Sequence, residues 1–216
     1  MMREGYQVRL AAIGELLSAM ADSVGRAMGE ATRALLEADQ AAAERVMAGE
    51  PGVDALRDRV EQSTYELLAL QAPVASDLRM VLTAQHVAAD LERMGDLADH
   101  VATTVLRRHP DHVLPPELNE VFATMAEVAG RMADKLARVI AERDVTRAAE
   151  LDGDDDVMDA LHRRMFGILV DGWPHGVAAA VDAALLGRFY ERYADHAVNA
   201  GAQVIYLVTG EAPANA

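Results

Sequence analysis

This 216-residue sequence predicts an all-α fold made of two tandem, symmetry-related antiparallel three-helix bundles. Three observations lead there. Alanine, the strongest helix former, supplies 42 residues, against 1 Trp, 5 Tyr and 3 Phe. The seven prolines, which break helix interiors, leave long free stretches at 74–109, 117–173 and 175–212. Short motifs also recur between the two halves at matched offsets.

The first helix is expected from about Tyr6 to Glu37. The second covers about Ala41–Leu70 and is broken by Gly49-Glu50-Pro51-Gly52. The third follows Pro73, a residue suited to a first helical turn, and runs to about Arg108. The segment His109-Pro110-Asp111-His112-Val113-Leu114-Pro115-Pro116 reads as a linker, with an exposed loop as the default for its two histidines. A second set follows at about Glu117–Ala141, about Val145–Val170 with an interruption near Gly153, and about Pro174–Val208. Short connections between long helices imply antiparallel neighbours. The domains are therefore expected at 1–108 and 117–210, with a linker at 109–116 and a tail at 211–216.

The repeat is legible residue by residue. Asp54-Ala55-Leu56-Arg57-Asp58-Arg59 matches Asp159-Ala160-Leu161-His162-Arg163-Arg164 at an offset of 105. Glu92-Arg93-Met94-Gly95-Asp96 matches Glu191-Arg192-Tyr193-Ala194-Asp195 at an offset of 99. A shorter turn before Pro174 than before Pro73 accounts for the difference of six.

Charge narrows the function. The formal net charge is −15, which disfavours nucleic acid as a partner and favours cations or basic protein surfaces. There are no cysteines, so disulfides, zinc ribbons, iron–sulfur clusters and a thiol nucleophile are excluded. The one lysine, Lys135, lies in no phosphate-binding loop, and no GxSxG or HExxH motif occurs. No apolar leader opens the chain, and no uncharged apolar stretch reaches 18 residues, so a cytoplasmic protein is expected.

The informative residues are carboxylates. The third helix of each half carries a 3-4 seam: Leu78, Leu82, Gln85, Ala89, Glu92, Asp96, Asp99, and Val177, Val181, Ala184, Arg188, Glu191, Asp195, Val198. Both seams turn from apolar to acidic. The second helices add Glu50 with Asp54, and Asp155 with Asp159, again at an offset of 105. Antiparallel second and third helices bring four carboxylates together in each half. Two readings fit this spacing. Bundles hold metal ions on carboxylates from facing helices, and oxygen ligands suit Mg²⁺, Mn²⁺, Ca²⁺ or iron. Alternatively, Arg93, Arg188 and Arg192 neutralise the acids as a salt-bridged face. His100 and His196 lie beside the motifs as ligands or as hydrogen-bonded structural residues, and Asp159–His162 is a lone DxxH. The absence of any ExxH motif argues against a ferritin-like di-iron oxidase.

Together the tandem repeat, Gln71-Ala72-Pro73-Val74-Ala75-Ser76-Asp77-Leu78-Arg79, Asp90-Leu91-Glu92-Arg93-Met94-Gly95-Asp96 and Glu191-Arg192-Tyr193-Ala194-Asp195-His196-Ala197-Val198-Asn199 resemble the PhoU family of phosphate-transport accessory proteins, over about residues 6–208. The resemblance implies two symmetric three-helix bundles and a non-catalytic negative regulator of phosphate uptake and phosphate-starvation signalling. It implies an adaptor between the phosphate ABC transporter's ATPase subunit and a sensor histidine kinase, with membrane contact only through those partners and a homodimer as an option. It also implies metal, as iron, zinc, manganese or magnesium, on Glu50, Asp54, Glu92 and Asp96, and on Asp155, Asp159, Glu191 and Asp195. The family's Asn after the third-helix motif is kept as Asn199, whereas the first repeat has His100 there. Pro51 also biases Glu50 away from helix. Two other functions remain open at this point: a carboxylate-cluster metalloenzyme acting on phosphate esters, and an accessory of another phosphate transporter type.

Overall fold

The computed structural model describes residues 2–49, 52–71 and 75–211, and every regular element among them is α-helical. The helices are α1 (Met2–Glu37), α2 (Gln40–Met47), α3 (Val53–Gln71), α4 (Ser76–Arg108), α5 (Pro116–Glu142), α6 (Val145–Ala149), α7 (Leu151–Val170) and α8 (Gly176–Thr209). Each half is thus a long first helix, a second helix split into a short and a longer piece, and a long third helix.

The same local chemistry ends the first helix and starts the second in both halves. Ala38 and Arg143 take left-handed backbone, with φ of 53° and 54°. The next residues, Asp39 and Asp144, are N-caps with identical dihedrals, φ −82° and ψ 97°. Each side chain accepts a hydrogen bond from a backbone N–H three residues on, Ala42 and Arg147, at 3.0 Å. An aspartate cap of this kind contributes about 1 kcal/mol to the helix start.

Two details differ from the sequence reading. The second helix of the second half breaks at Glu150, and Gly153 lies inside the first turn of α7. The six-residue difference between offsets is also not a shorter turn. α3 itself runs further than α7 before the chain reverses, since α3 ends at Gln71 and α7 at Val170, already 99 apart. Residues 72–74, including Pro73, lie outside the described residues.

The two halves share one apolar core. α1 packs along α5, α4 along α8, and α1 also along α4. Buried Met20, Val24, Met28 and Leu35 of α1 join Val121, Met125, Met132 and Leu136 of α5 and Val87, Leu91, Met94 and Val101 of α4. Gly25 lets α1 approach α5 closely, because a Cβ there would lie 2.9 Å from the Cβ of Ala133. Val113 and Leu114 of the interhelical segment are buried, which ties that segment to the core, while His109 and His112 are exposed.

Burial also re-reads the seams. α4 and α8 bury a different stripe, running through Val81, Ala84, Val87, Ala88 and Leu91 in α4 and Ala183, Leu186, Tyr190 and Ala194 in α8. The apolar starts of the predicted seams are therefore left outside: Leu82 is 51% exposed and its equivalent Val181 50%.

Candidate functional site: two acidic seams

In the first half, Asp54 in the first turn of α3 and Glu92, Asp96 and Asp99 of α4 line one narrow cleft, partly open to solvent. Gly95 makes this approach possible, since a Cβ there would come within 3.3 Å of Val53 Cγ1. Asp99 is pushed up to about 6 by burial, then by the nearby charges of Asp54 and Asp96, with His100 acting the other way. Glu50 lies outside the described residues.

In the second half, Asp155 and Asp159 of α7 meet Glu191 and Asp195 of α8. Asp155 is pushed up to about 6 by burial first, then by Asp195, Asp159, Glu191 and Asp156. Its Oδ1 is buried without a hydrogen-bond partner among the described residues. Glu191 is also raised, by burial and by Asp195, although Arg188 opposes the shift. His162 is lowered by burial and by Arg188 and so is held toward its neutral form; its buried Nε2 has no partner among the described residues.

Four of the seven described motif acids have arginine partners. Arg57 Nε lies 3.1 Å from Glu92, Arg93 lies 2.8 Å from Asp96, Arg163 lies 3.4 Å from Asp159, and Arg188 pairs with Glu191. Arg192, expected to neutralise an acid, instead approaches His196 at 3.5 Å. Arg57 and Arg163 were not foreseen. Arg163 carried a readable signal, four residues after Asp159, whereas Arg57 reaches across to another helix. His196 bonds Asp90 at 2.9 Å between α8 and α4, and His100 packs on Phe189 with ring centroids 5.1 Å apart. As the side chains stand, no group of three or more Asp, Glu or His among the described residues is placed to hold a metal ion. The structure thus brings the seven described carboxylates to the facing sides of α3 and α4 and of α7 and α8, and pairs four of them with arginine.

The comparisons bear on what such a duplicated scaffold is. The family model described as the PhoU domain matches the chain twice, at residues 17–105 and 122–204. The chain belongs to the PhoU family. The chain is 48% identical over 213 residues to the phosphate-specific transport system accessory protein PhoU homolog 1 of Mycobacterium leprae, covering 98% of this chain and 96% of that protein. It is 47% identical to PhoU homolog 2 of Mycobacterium tuberculosis, over 98% of this chain and 100% of that one. The crystal structure of PhoU from Pseudomonas aeruginosa shares the fold, with a TM-score of 0.85 at 24% identity, covering 95% of this chain and 100% of that one. The PhoU relatives are named as accessory proteins of a phosphate-specific transport system, and none of those names states a catalytic activity. No described helix of this chain is long and apolar enough to cross a membrane.

Proposed function

We propose that this chain is a non-catalytic negative regulator of phosphate uptake and phosphate-starvation signalling. In this reading it is a cytoplasmic adaptor between the ATPase subunit of a phosphate ABC transporter and a sensor histidine kinase. The observation that carries the reading is the near-full-length identity of 47–48% to accessory proteins of the phosphate-specific transport system. The exposed apolar residues Leu82 and Val181, at equivalent places in the two halves, supply surface for protein contacts, including a homodimer.

The acidic seams take a cation in this proposal. The donor chemistry fits: crowded carboxylates with raised Asp99 and Asp155, and a buried Asp155 oxygen lacking any partner, are relieved by a hard positive ion. Asp54, Glu92 and Asp96 with Glu50, and Asp155, Asp159, Glu191 and Asp195, would hold it, as iron, zinc, manganese or magnesium. Its contribution is charge neutralisation that stiffens each bundle for docking.

The test is genetic and biochemical together. A strain lacking this chain is expected to express its phosphate-starvation reporter constitutively in high phosphate, and the wild-type gene restores silencing. The ATPase subunit is expected to co-purify with the chain. Unchanged reporter expression, or co-purification with a different class of phosphate permease, overturns the assignment. Turnover of phosphate esters with Mn²⁺ or Mg²⁺ that is lost in Asp96→Ala and Asp195→Ala replaces it with an enzyme.

A further inference from the structure

The two acidic seams carry different chemistry at equivalent places. Arg57 of α3 and His162 of α7 correspond at the offset of 105, and their neighbours differ with them. Arg57 lies 2.7 Å from Glu61, one turn on, and reaches across to Glu92 of α4 at 3.1 Å. The equivalent of Glu61 is Phe166, and the His162 ring packs on it with centroids 5.0 Å apart. A fixed cation therefore bridges α3 and α4 in the first half, and an imidazole stands in its place in the second.

That imidazole extends the second seam. Asp155, Asp159 and His162 follow at i, i+4 and i+7, which is one stripe of α7. The ring abuts α8, since a Cβ on Gly187 would come 3.1 Å from its Cδ2, the carbon bonded to Nε2. Gly187 lies one turn before Glu191, and its equivalent in α4 is Ala88. His162 Nε2 is buried with no hydrogen-bond partner among the described residues, and so is Asp155 Oδ1. One nitrogen and one oxygen thus stand unpartnered on the same stripe. Glu191 is paired only within its own helix, to an Arg188 that is 49% exposed, so a competing cation displaces that arginine at small cost. Glu92 is instead held from the neighbouring helix. His100, the histidine beside the first seam, packs on Phe189 of α8.

We infer that His162 is a nitrogen ligand of the second seam, alongside Asp159 and Glu191, and that the two halves of one chain select different cations. The inference rests on the proposal above that the seams take metal. An imidazole nitrogen beside carboxylates suits Zn²⁺ or Fe²⁺, whereas oxygen ligands alone suit Mg²⁺. The second seam therefore prefers Zn²⁺ to Mg²⁺. The first seam, with the Arg57 guanidinium where the ring would stand, offers oxygen only and has no such preference. Binding at the second seam requires Arg188 to release Glu191, because no three of these groups converge as they stand.

The test is ¹⁵N NMR of the full-length, untagged protein labelled at histidine, titrated with Zn²⁺ and separately with Mg²⁺. The His162 resonance is identified by its loss in His162→Asn. Zn²⁺ is expected to shift its Nε2 signal and Mg²⁺ to leave it in place. His162→Asn is expected to weaken Zn²⁺ at the second seam by at least about tenfold, the scale on which even outer-shell partners of a metal act, with Mg²⁺ affinity and helicity unchanged. Asp159→Asn/Glu191→Gln keeps the ring and is expected to abolish its Zn²⁺ shift. Zn²⁺ that binds the second seam, as judged by its loss in Asp195→Ala, while His162 Nε2 stays unmoved overturns this inference and leaves the metal reading standing. A His162 shift that survives Asp159→Asn/Glu191→Gln overturns it too, because the ring then binds Zn²⁺ apart from the seam. Binding of neither ion to either seam overturns the inference together with the metal reading.

Discussion

Comparison of the two halves separates what the repeat holds constant from what it lets vary. The left-handed residues Ala38 and Arg143, and the aspartate caps behind them, superimpose in dihedral angle. The charges around them do not. Glu30 of α1 pairs with Arg45 at the end of α2, whereas the equivalent pair in the second half is reversed, with Lys135 Nζ 3.3 Å from Glu150. Asp182 of α8, buried and paired with Arg107 and Arg108, has no charged counterpart at the equivalent Thr83. Backbone geometry here is set by steric rules that each half must obey, while an ion pair needs only complementary partners. The halves can therefore diverge in electrostatics while the scaffold stays symmetric.

The largest contrast is expected between Asp182→Ala and Thr83→Val. Removing Asp182 leaves two arginines facing a desolvated site and is expected to cost about 3 kcal/mol, at the low end for broken buried pairs because both arginines are partly exposed. Thr83→Val removes an unpartnered hydroxyl and is expected to be neutral or to stabilise by about 1 kcal/mol. Urea unfolding of both variants checks the pair; equal losses would erase the difference between the two positions.

Gly25 and Gly130 are equivalent, yet only Gly25 abuts the facing helix. Gly25→Ala is expected to destabilise by about 1–2 kcal/mol through overpacking against Ala133. Gly130→Ala is expected to stabilise by up to about 1 kcal/mol from helix propensity. Thermal melts that shift both variants in the same direction would contradict the asymmetric packing of α1 on α5.

Asp155 gives a pH test in the metal-free protein. Its folded value is raised to about 6, so the fold opposes the ionised form. The penalty is full above pH 6, shrinks as pH falls, and is absent below the ordinary Asp value near 4. Asp155→Asn is therefore expected to stabilise at pH 8 by about 1 kcal/mol, a figure reduced for solvent screening, and to have no effect near pH 4. A stabilisation independent of pH would assign the effect to something other than charge crowding. The smallest expected effect is the charge swap: Glu30→Lys is expected to cost about 0.5 kcal/mol, recovered by adding Arg45→Glu to copy the second half.

The sequence carried most of this architecture. Proline positions and helix formers placed the long helices to within a few residues, and the two offsets revealed the repeat. What it missed has specific causes. Ionic partners that reach between helices, such as Arg57 with Glu92, leave no trace in local spacing. Nothing local in the sequence marks Asp182 as a buried ion-pair partner, because Arg107 and Arg108 are 74 or more residues away. The break falls at Glu150 and not near Gly153, because a glycine is tolerated in the first turn of a helix. The motif acids were legible as a set through the repeat. Their arginine pairing and the raised Asp99 and Asp155 follow from packing that only the fold supplies.

The central claim is that the duplicated carboxylate seams bind cations. The most direct measurement is metal content per chain in untagged protein resupplied with Mn²⁺, Fe²⁺ or Zn²⁺, beside Asp96→Ala/Asp195→Ala. At least one equivalent, lost in the double variant while its helicity is unchanged, is the predicted result. No bound metal under any supply, or equal metal in both proteins, contradicts the claim and leaves the seams as arginine-neutralised faces.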